Sequence, residues 1–263
     1  MKRKLGLLCI LCLMACSVEA QFIYGTTGLL HMPTADMQKD KTFMFGASRL
    51  NSHAMPGNWY YDTYNYYLNI TFFPWLEIGY TCVLFTAEHM GTEEYGAEGF
   101  TNQDRSFHGR LRLWKAGWWK EWTPQIVLGA NDFITGGNGG VHDFTEIAVA
   151  GDANGYFNRY YIAATKHLSW NGEWGMHAAY VYNKRGKAKL NGVAVGIDYQ
   201  FAMKGEELWQ KAVNGLSLMA EYDSKFVNVG AKYALWKDRF HIITELRECK
   251  YPSVGAYFKV HLK

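Results

Sequence analysis

The stretch "GLSLMAEYDSKFVNVGAKYAL", residues 215–235, alternates between apolar and polar side chains on both sides of a break at Ser224 and Lys225. Successive side chains of a β-strand point to opposite faces, so this period of two predicts two strands. Before the break, one face carries Leu216, Leu218, Ala220 and Tyr222, and the other carries Ser217, Met219, Glu221 and Asp223. After it, Val227, Val229, Ala231, Tyr233 and Leu235 alternate with Asn228, Gly230, Lys232 and Ala234. The stretch therefore predicts a hairpin with one apolar face and one charged face.

The same alternation recurs along the chain, at 66–72, 76–84, 106–113, 174–183, 193–201, 241–247 and 257–263. A soluble sandwich would pack such apolar faces against each other, whereas an outer-membrane barrel would turn them to lipid and line its lumen with the polar faces. Strands of roughly nine to eleven residues suit the barrel. So do aromatic clusters near strand ends, "NWYYDTYNYY" at 58–67 and "NRYYIAATKHLSW" at 158–170, which resemble interfacial girdles.

The N-terminus has the features of an export signal. Lys2, Arg3 and Lys4 precede the apolar run "LGLLCILCLM", which is too short to span a bilayer as a helix. We expect residues 1–20 to be a signal peptide cleaved after Ala20. A competing interpretation takes "LMAC" as a lipobox that would leave a lipidated Cys16.

Residues 21–263 then form one domain. Aromatic residues make up 16% of the chain, only five residues are proline, and no later segment is as long and apolar as a membrane helix. At roughly twenty residues per strand and connection, the sequence predicts an all-β protein, a single antiparallel transmembrane β-barrel of about twelve strands, with ten to fourteen as the range. Loops are expected at 87–104 and 135–142, and a short helix in "WQKAVNG" at 209–215.

Composition excludes several functions. Removing residues 1–20 leaves 24 basic and 23 acidic side chains, a balance that gives no reason to expect nucleic acid as a partner. The nine histidines show no metal-ligand spacing, and we expect neither a metal nor a cofactor. Cys82 and Cys249 could form one optional disulfide or remain as free buried thiols.

The predicted polar faces supply the candidate site residues, which we expect to line a lumen: Glu77, Arg110, Arg112, Asp198, Glu221, Asp223, Lys232, Glu245 and Arg247. Glu221 and Asp223 could be read as the carboxylate pair of a glycosidase. Because charges in a narrow space need partners, ion pairing with Arg110, Arg112, Lys232 or Arg247 is the favoured interpretation.

Two other chemical motifs are weaker. Ser106 and His108 share a face and could form a nucleophile and base at a barrel rim, although nothing marks the serine as activated. The Gly-rich "TGGNGGVHD" at 135–143 lacks the Lys-Ser/Thr of a phosphate loop and predicts a surface loop.

Several short motifs occur in order: "FIYGTTGLLHMPTADM" at 22–37, "FPWLEIGYTC" at 73–82, "RSFHGRLRLW" at 105–114, "TPQIVLGANDF" at 123–133, "LNGVAVGIDYQ" at 190–200 and "LMAEYD" at 218–223. Together they resemble the YjbH-type proteins, outer-membrane β-barrels associated with exopolysaccharide production in Gram-negative bacteria. Within these motifs, Gly25, Gly28, Pro33 and Asp132 are the positions that carry the resemblance to the family. Better-known members of that family are longer and described as lipoproteins.

The resemblance implies a non-enzymatic barrel in the outer membrane of a Gram-negative bacterium that assists production or export of an extracellular polysaccharide. Its partners would be outer-membrane lipid, the polysaccharide and other components of an export system. Two alternatives remain open at this point: a structural barrel or small-solute porin with no polysaccharide role, and an outer-membrane glycan- or lipid-modifying enzyme.

Overall fold

The computed structural model describes residues 21–54, 62–87, 99–133, 157–183, 191–205, 207–236 and 239–262. Twelve strands lie in these residues: β1 Thr42–Leu50, β2 Thr63–Phe73, β3 Leu76–Ala87, β4 Gly99–Trp114, β5 Gln125–Asn131, β6 Arg159–Ser169, β7 Glu173–Tyr182, β8 Gly192–Gln200, β9 Leu216–Tyr222, β10 Val227–Trp236, β11 Phe240–Arg247 and β12 Tyr251–His261. The helix α1 spans Leu208–Asn214, and a single 3-10 turn spans Ser52–Ala54.

The strands form one closed barrel in which each strand pairs antiparallel with its neighbours in sequence. Closure occurs between β1 and β12, where Thr42 lies opposite His261 and Arg49 lies opposite Val254. Closing the sheet removes the unpaired edges that an open sheet would expose. The predicted fold class and the predicted number of strands are confirmed.

The apolar faces of the strands point outward. Leu128, Ile162 and Val195 are each close to half exposed, as are their counterparts on neighbouring strands. A continuous exposed apolar band of this kind is unfavourable in water and is the surface that a transmembrane barrel presents to lipid. The barrel interpretation of the alternating pattern is therefore confirmed over the sandwich.

The strand connections alternate between two ends of the barrel. We call the end where β1 begins and β12 ends the terminal end, and the opposite end the loop end. Exposed tryptophans gather in connections and at a strand end at the terminal end of the barrel, namely Trp75, Trp118, Trp119, Trp122, Trp170, Trp209 and Trp236. Tryptophan prefers the membrane–water interface, so these side chains mark one interface of the bilayer.

The connections differ in part from the expectation. The predicted short helix is present as α1, which begins with a reciprocal capping box between Glu207 and Gln210. The loop predicted at 87–104 was wrong at its two ends, because Ala87 belongs to β3, β4 begins at Gly99, and Asp104 pairs with Val83. Residues 88–98 lie outside the described residues. The polar residues at 99–104 lie in a barrel strand, where polarity does not exclude strand structure. The loop predicted at 135–142 lies outside the described residues.

Two smaller features complete the fold. Cys82 is buried and Cys249 is exposed, and both are free thiols, so no disulfide joins them and only one of the two is buried. None of the helices in the described residues is long and apolar enough to cross a membrane.

Candidate functional site

The lumen is filled by the chain's own N-terminal segment. Every residue from Gln21 to Gln38 is buried, including the large side chains of Phe22, Leu29 and Met32. We call residues 21–38 the plug. The polar faces of the strands, which the sequence placed against a lumen, pack against this segment.

Two turns fold the plug on itself. In the first, Gln21 N–H donates to the Thr26 carbonyl at 2.8 Å, and Gly25 adopts a φ of 61°, a left-handed conformation that favours glycine. In the second, Gly28 bridges Pro33 and the Leu29 N–H donates to the Met32 carbonyl at 3.2 Å. The motif positions Gly25, Gly28 and Pro33 thus lie at the turns that shape the plug.

Glu221 of β9 holds the second turn through the backbone. Its carboxylate accepts hydrogen bonds from the N–H groups of Leu30 at 3.0 Å, His31 at 2.8 Å and Met32 at 3.2 Å. Asn228 of β10 donates a fourth at 3.1 Å. Consecutive N–H groups directed at one anion form a backbone nest, here occupied by a protein carboxylate. The predicted cationic partner for Glu221 was wrong, because residue charges do not reveal backbone donors.

Glu77 of β3 and Arg110 of β4 form a buried ion pair at 3.1 Å and also bind the plug. Glu77 accepts from the Thr27 N–H at 2.9 Å and the Thr27 hydroxyl at 2.6 Å. Arg110 donates to the carbonyls of Thr34 at 2.5 Å and Asp36 at 2.9 Å. Buried charges are tolerated when they are paired and hydrogen-bonded, and the plug provides several of the hydrogen bonds of this pair.

A second group of charged side chains surrounds His31, which lies in the second turn of the plug. Its Nε2 lies 2.8 Å from Glu245 of β11, and Arg247 Nη1 lies 3.2 Å from its Nδ1. Arg247 also lies 3.7 Å from Asp223, and Asp223 accepts from the Phe226 N–H at 2.8 Å in the β9–β10 turn. Asp223 thus has a cationic neighbour among those proposed for it, whereas the partners of Glu221 among the described residues are backbone N–H groups and Asn228.

Arg159 was missed by the sequence analysis. Its guanidinium lies 3.5 Å from the centre of the Tyr24 ring and donates to the His31 carbonyl at 2.8 Å and to Gln21 at 3.0 Å. Arg159 is the second residue of the aromatic cluster at 158–170, which was interpreted for its aromatic side chains alone. Applying the period of two to this stretch would have placed Arg159 on the same inward face as Tyr161 and Thr165 of β6.

Asp36 anchors the plug at the terminal end. Its Oδ1 lies 2.8 Å from His167 Nε2, its side chain accepts a short hydrogen bond from Gln125, and its Oδ2 lies 3.8 Å from His177 Nδ1. Burial alone would raise the pKa of the Asp36 carboxyl, but attraction to His167, His177 and Arg110 outweighs burial and holds that pKa below its usual value.

The remaining candidate residues occupy different positions. Lys232 is buried on the inner face of β10, and Asp198 of β8 is part-exposed with its Oδ1 2.6 Å from His177. Arg112 is part-exposed near the terminal end of β4. Asp132 is buried at a positive φ of 49°, and its N–H donates to His108. Cys16 lies outside the described residues.

Ser106 and His108, the weaker of the catalytic readings of the sequence, are buried on the inner face of β4. His108 lies 3.1 Å from the Thr81 hydroxyl and 3.0 Å from Asn131, and within the described residues the Ser106 hydroxyl has no hydrogen-bond partner. His108 therefore makes the hydrogen bonds of an inward-facing histidine, and the pair is not exposed at a rim. Within the described ranges, no three His, Cys, Asp or Glu side chains are grouped so as to hold a metal ion.

Two inward glycines make room for the plug. A Cβ on Gly196 of β8 would lie 2.5 Å from Leu29 Cδ1, and a Cβ on Gly230 of β10 would lie 2.6 Å from Leu30 Cδ2. Any larger residue would displace these leucines. These two glycines therefore reflect the close approach of the plug.

A closed twelve-strand barrel with an outward apolar band and an occupied polar lumen defines a plugged outer-membrane β-barrel of the Gram-negative type. A family model described as "Exopolysaccharide biosynthesis protein YbjH" matches residues 20–242, and the chain belongs to this YjbH family. A comparison with curated proteins finds no match.

Solved structures to which the chain is similar include the following three. An outer membrane channel from Pseudomonas putida F1 is 10% identical with a TM-score of 0.39, covering 88% of this chain and 98% of that one. The outer membrane phospholipase of Salmonella typhi is 12% identical with a TM-score of 0.37, covering 85% and 91%. The N-terminal β-barrel domain of Pseudomonas aeruginosa OprF is 10% identical with a TM-score of 0.25, covering 85% and 100%.

Proposed function

We propose that this protein is a non-enzymatic outer-membrane barrel that assists production or export of an extracellular polysaccharide without passing the polymer through its own lumen. The observation that carries the polysaccharide role is the match to the YjbH family across residues 20–242. The plug supports the second part of the proposal, because an occupied lumen offers a polymer no path.

Side chains from several strands hold the plug in the lumen. Strands β2, β3, β4, β6 and β9 all supply side chains that bond to it. Release of the plug would break these buried hydrogen bonds together and would expose the side chains of Phe22, Leu29 and Met32. We therefore expect the plug to stay in place while the barrel works.

The experiment uses a strain that lacks the protein, complemented with the wild type or with a plug-locked variant. Ala35 and Thr165 are neighbours, since the Ala35 N–H donates to the Thr165 hydroxyl at 2.8 Å. The variant Ala35→Cys/Thr165→Cys, made with Cys82 and Cys249 replaced by alanine, would tie the plug to β6, and Ala35→Ser/Thr165→Ser is the matched control. Mass spectrometry verifies the disulfide.

We expect the strain without the protein to secrete less polysaccharide, and the wild type, the locked variant and the control to restore it equally. Secretion that does not change when the protein is removed would overturn the polysaccharide role. Secretion restored by the control but not by the locked variant would show that the plug must move, and would overturn the closed-lumen part.

A further inference from the structure

Among the described residues, the inward side chains differ in exposure between the two ends of the barrel. Near the loop end Asn131, Asp223 and Arg247 are buried, and Asp104 of β4 is part-exposed. At the terminal end of β4 to β8 the inward side chains are part-exposed, namely Arg112, Gln125, His167, Glu173, Asp198 and Gln200. Asp36 of the plug lies beneath them, bonded to Gln125 and His167. We call these residues, with Asp36 as the floor, the vestibule.

Arg112 is the unusual member of the vestibule. Arg110, two residues earlier on the same face, uses its guanidinium on Glu77, Thr34 and Asp36. Within the described part of the chain, the guanidinium of Arg112 makes no hydrogen bond or ion pair, and its Nε is buried without a partner. A buried donor left unpaired costs about 1–3 kcal/mol. Because Arg112 is part-exposed and its guanidinium has no bond within the described residues to give up, it can donate to a ligand oxygen in the vestibule.

The charges around Arg112 narrow the chemistry of such a ligand. Asp36 of the plug and Asp198 of β8 both lie close to His177, and Glu173 accepts from Ser169 at the rim. Three carboxylates disfavour an anionic ligand, while the guanidinium disfavours a cationic one. A neutral ligand that accepts and donates hydrogen bonds is compatible with the carboxylates and with the guanidinium. A sugar has these properties, because its hydroxyl groups donate and accept and its ring oxygen accepts.

We propose that the vestibule binds a neutral saccharide segment, with Arg112 donating to sugar oxygens and the part-exposed carboxylate of Asp198 accepting from a sugar hydroxyl. This inference rests on the proposed polysaccharide role and names the surface where the polymer contacts the barrel. Because the plug closes the lumen behind its floor at Asp36, the vestibule is a binding site at one end of the barrel and not the entrance to a channel.

The test is calorimetric titration of the full protein in detergent micelles. The probes are oligosaccharides released by mild acid from the exopolysaccharide of the strain that encodes the protein, separated by anion exchange into neutral and acidic fractions. The variant is Arg112→Ala, which breaks no side-chain bond in the described residues and should leave the barrel folded. Lys225→Ala, at an exposed position of the loop end, is the control. Asp198→Asn is the second variant and tests the acceptor.

We expect the neutral fraction to bind the wild type and Lys225→Ala equally, and to bind Arg112→Ala at least tenfold more weakly. Asp198→Asn should also weaken binding of the neutral fraction. If Arg112→Ala does not fold, the affinity of Asp198→Asn tests the inference in its place. Absence of binding to the wild type, undiminished binding to both vestibule variants, or tighter binding of the acidic fraction would each overturn the inference.

The failure of this inference is separable from failure of the proposed function. If removal of the protein lowers polysaccharide secretion but Arg112→Ala and Asp198→Asn restore it fully, the polysaccharide role stands and the vestibule is not the contact site. If removal has no effect on secretion, the proposed function itself fails.

Discussion

Replacing Glu221 with alanine is the sharpest perturbation of the plug. The substitution removes one buried carboxylate that accepts from three consecutive backbone N–H groups, those of Leu30, His31 and Met32, and from Asn228. Each buried donor left unsatisfied costs about 1–3 kcal/mol. Since water can enter the space left by the side chain and satisfy part of the group, we expect a loss of about 3–5 kcal/mol in the free energy of unfolding.

Glu221→Gln should give an intermediate loss. Its oxygen can still accept from one N–H group, but its amide hydrogens would face other donors of the nest. Ser217→Ala is the matched control, because Ser217 lies on the same face of β9 and its buried hydroxyl has no hydrogen-bond partner. We expect its unfolding free energy to stay within about 0.5 kcal/mol of the wild type.

The assay is equilibrium unfolding in urea of protein refolded into detergent micelles, followed by tryptophan fluorescence. Hydrogen exchange of residues 21–38 reports separately on the plug, and it should accelerate in Glu221→Ala more than exchange in the strands. An unfolding free energy for Glu221→Ala equal to that of Ser217→Ala, with unchanged protection of the plug, would refute the reasoning.

Two further predictions concern packing and charge. Gly196→Phe should place a ring where Leu29 and Met32 lie, so hydrogen exchange of the plug should accelerate while the boiled and unboiled forms still migrate differently on gels; unchanged exchange would contradict the packing. Arg110→Met should cost about 3–5 kcal/mol by stranding Glu77, and adding Glu77→Gln should recover part of that loss in urea unfolding; equal stability of the single and double variants would contradict the pairing.

The barrel could be predicted from the sequence because its pattern is local. In stretches such as 215–235 each residue's face follows from its position in the strand, and the predicted alternation agrees with the observed burial of Glu221 and exposure of Leu218. Because the face of each residue was known, the aromatic and aliphatic residues of the outward face also predicted contact with lipid. Strand ends were less certain, since polar residues at 99–104 read as a loop although they form part of β4.

The plug could not be predicted in this way. Residues 21–38 mix apolar and polar side chains with two turns and show no period of two or of 3.6. Their burial depends on partners far away in sequence, such as Glu221, whose contact with His31 spans 190 positions. The roles of Glu221 and Arg159 also depend on backbone groups of the plug, and a comparison of side-chain charges does not include them.

The most direct test of the central claim, that residues 21–38 close the lumen, is single-channel conductance in a planar bilayer. The wild type should insert without producing open-channel steps, and a variant lacking residues 21–38 that still shows barrel migration on gels should produce them. Steady open-channel conductance from the wild type would contradict the account.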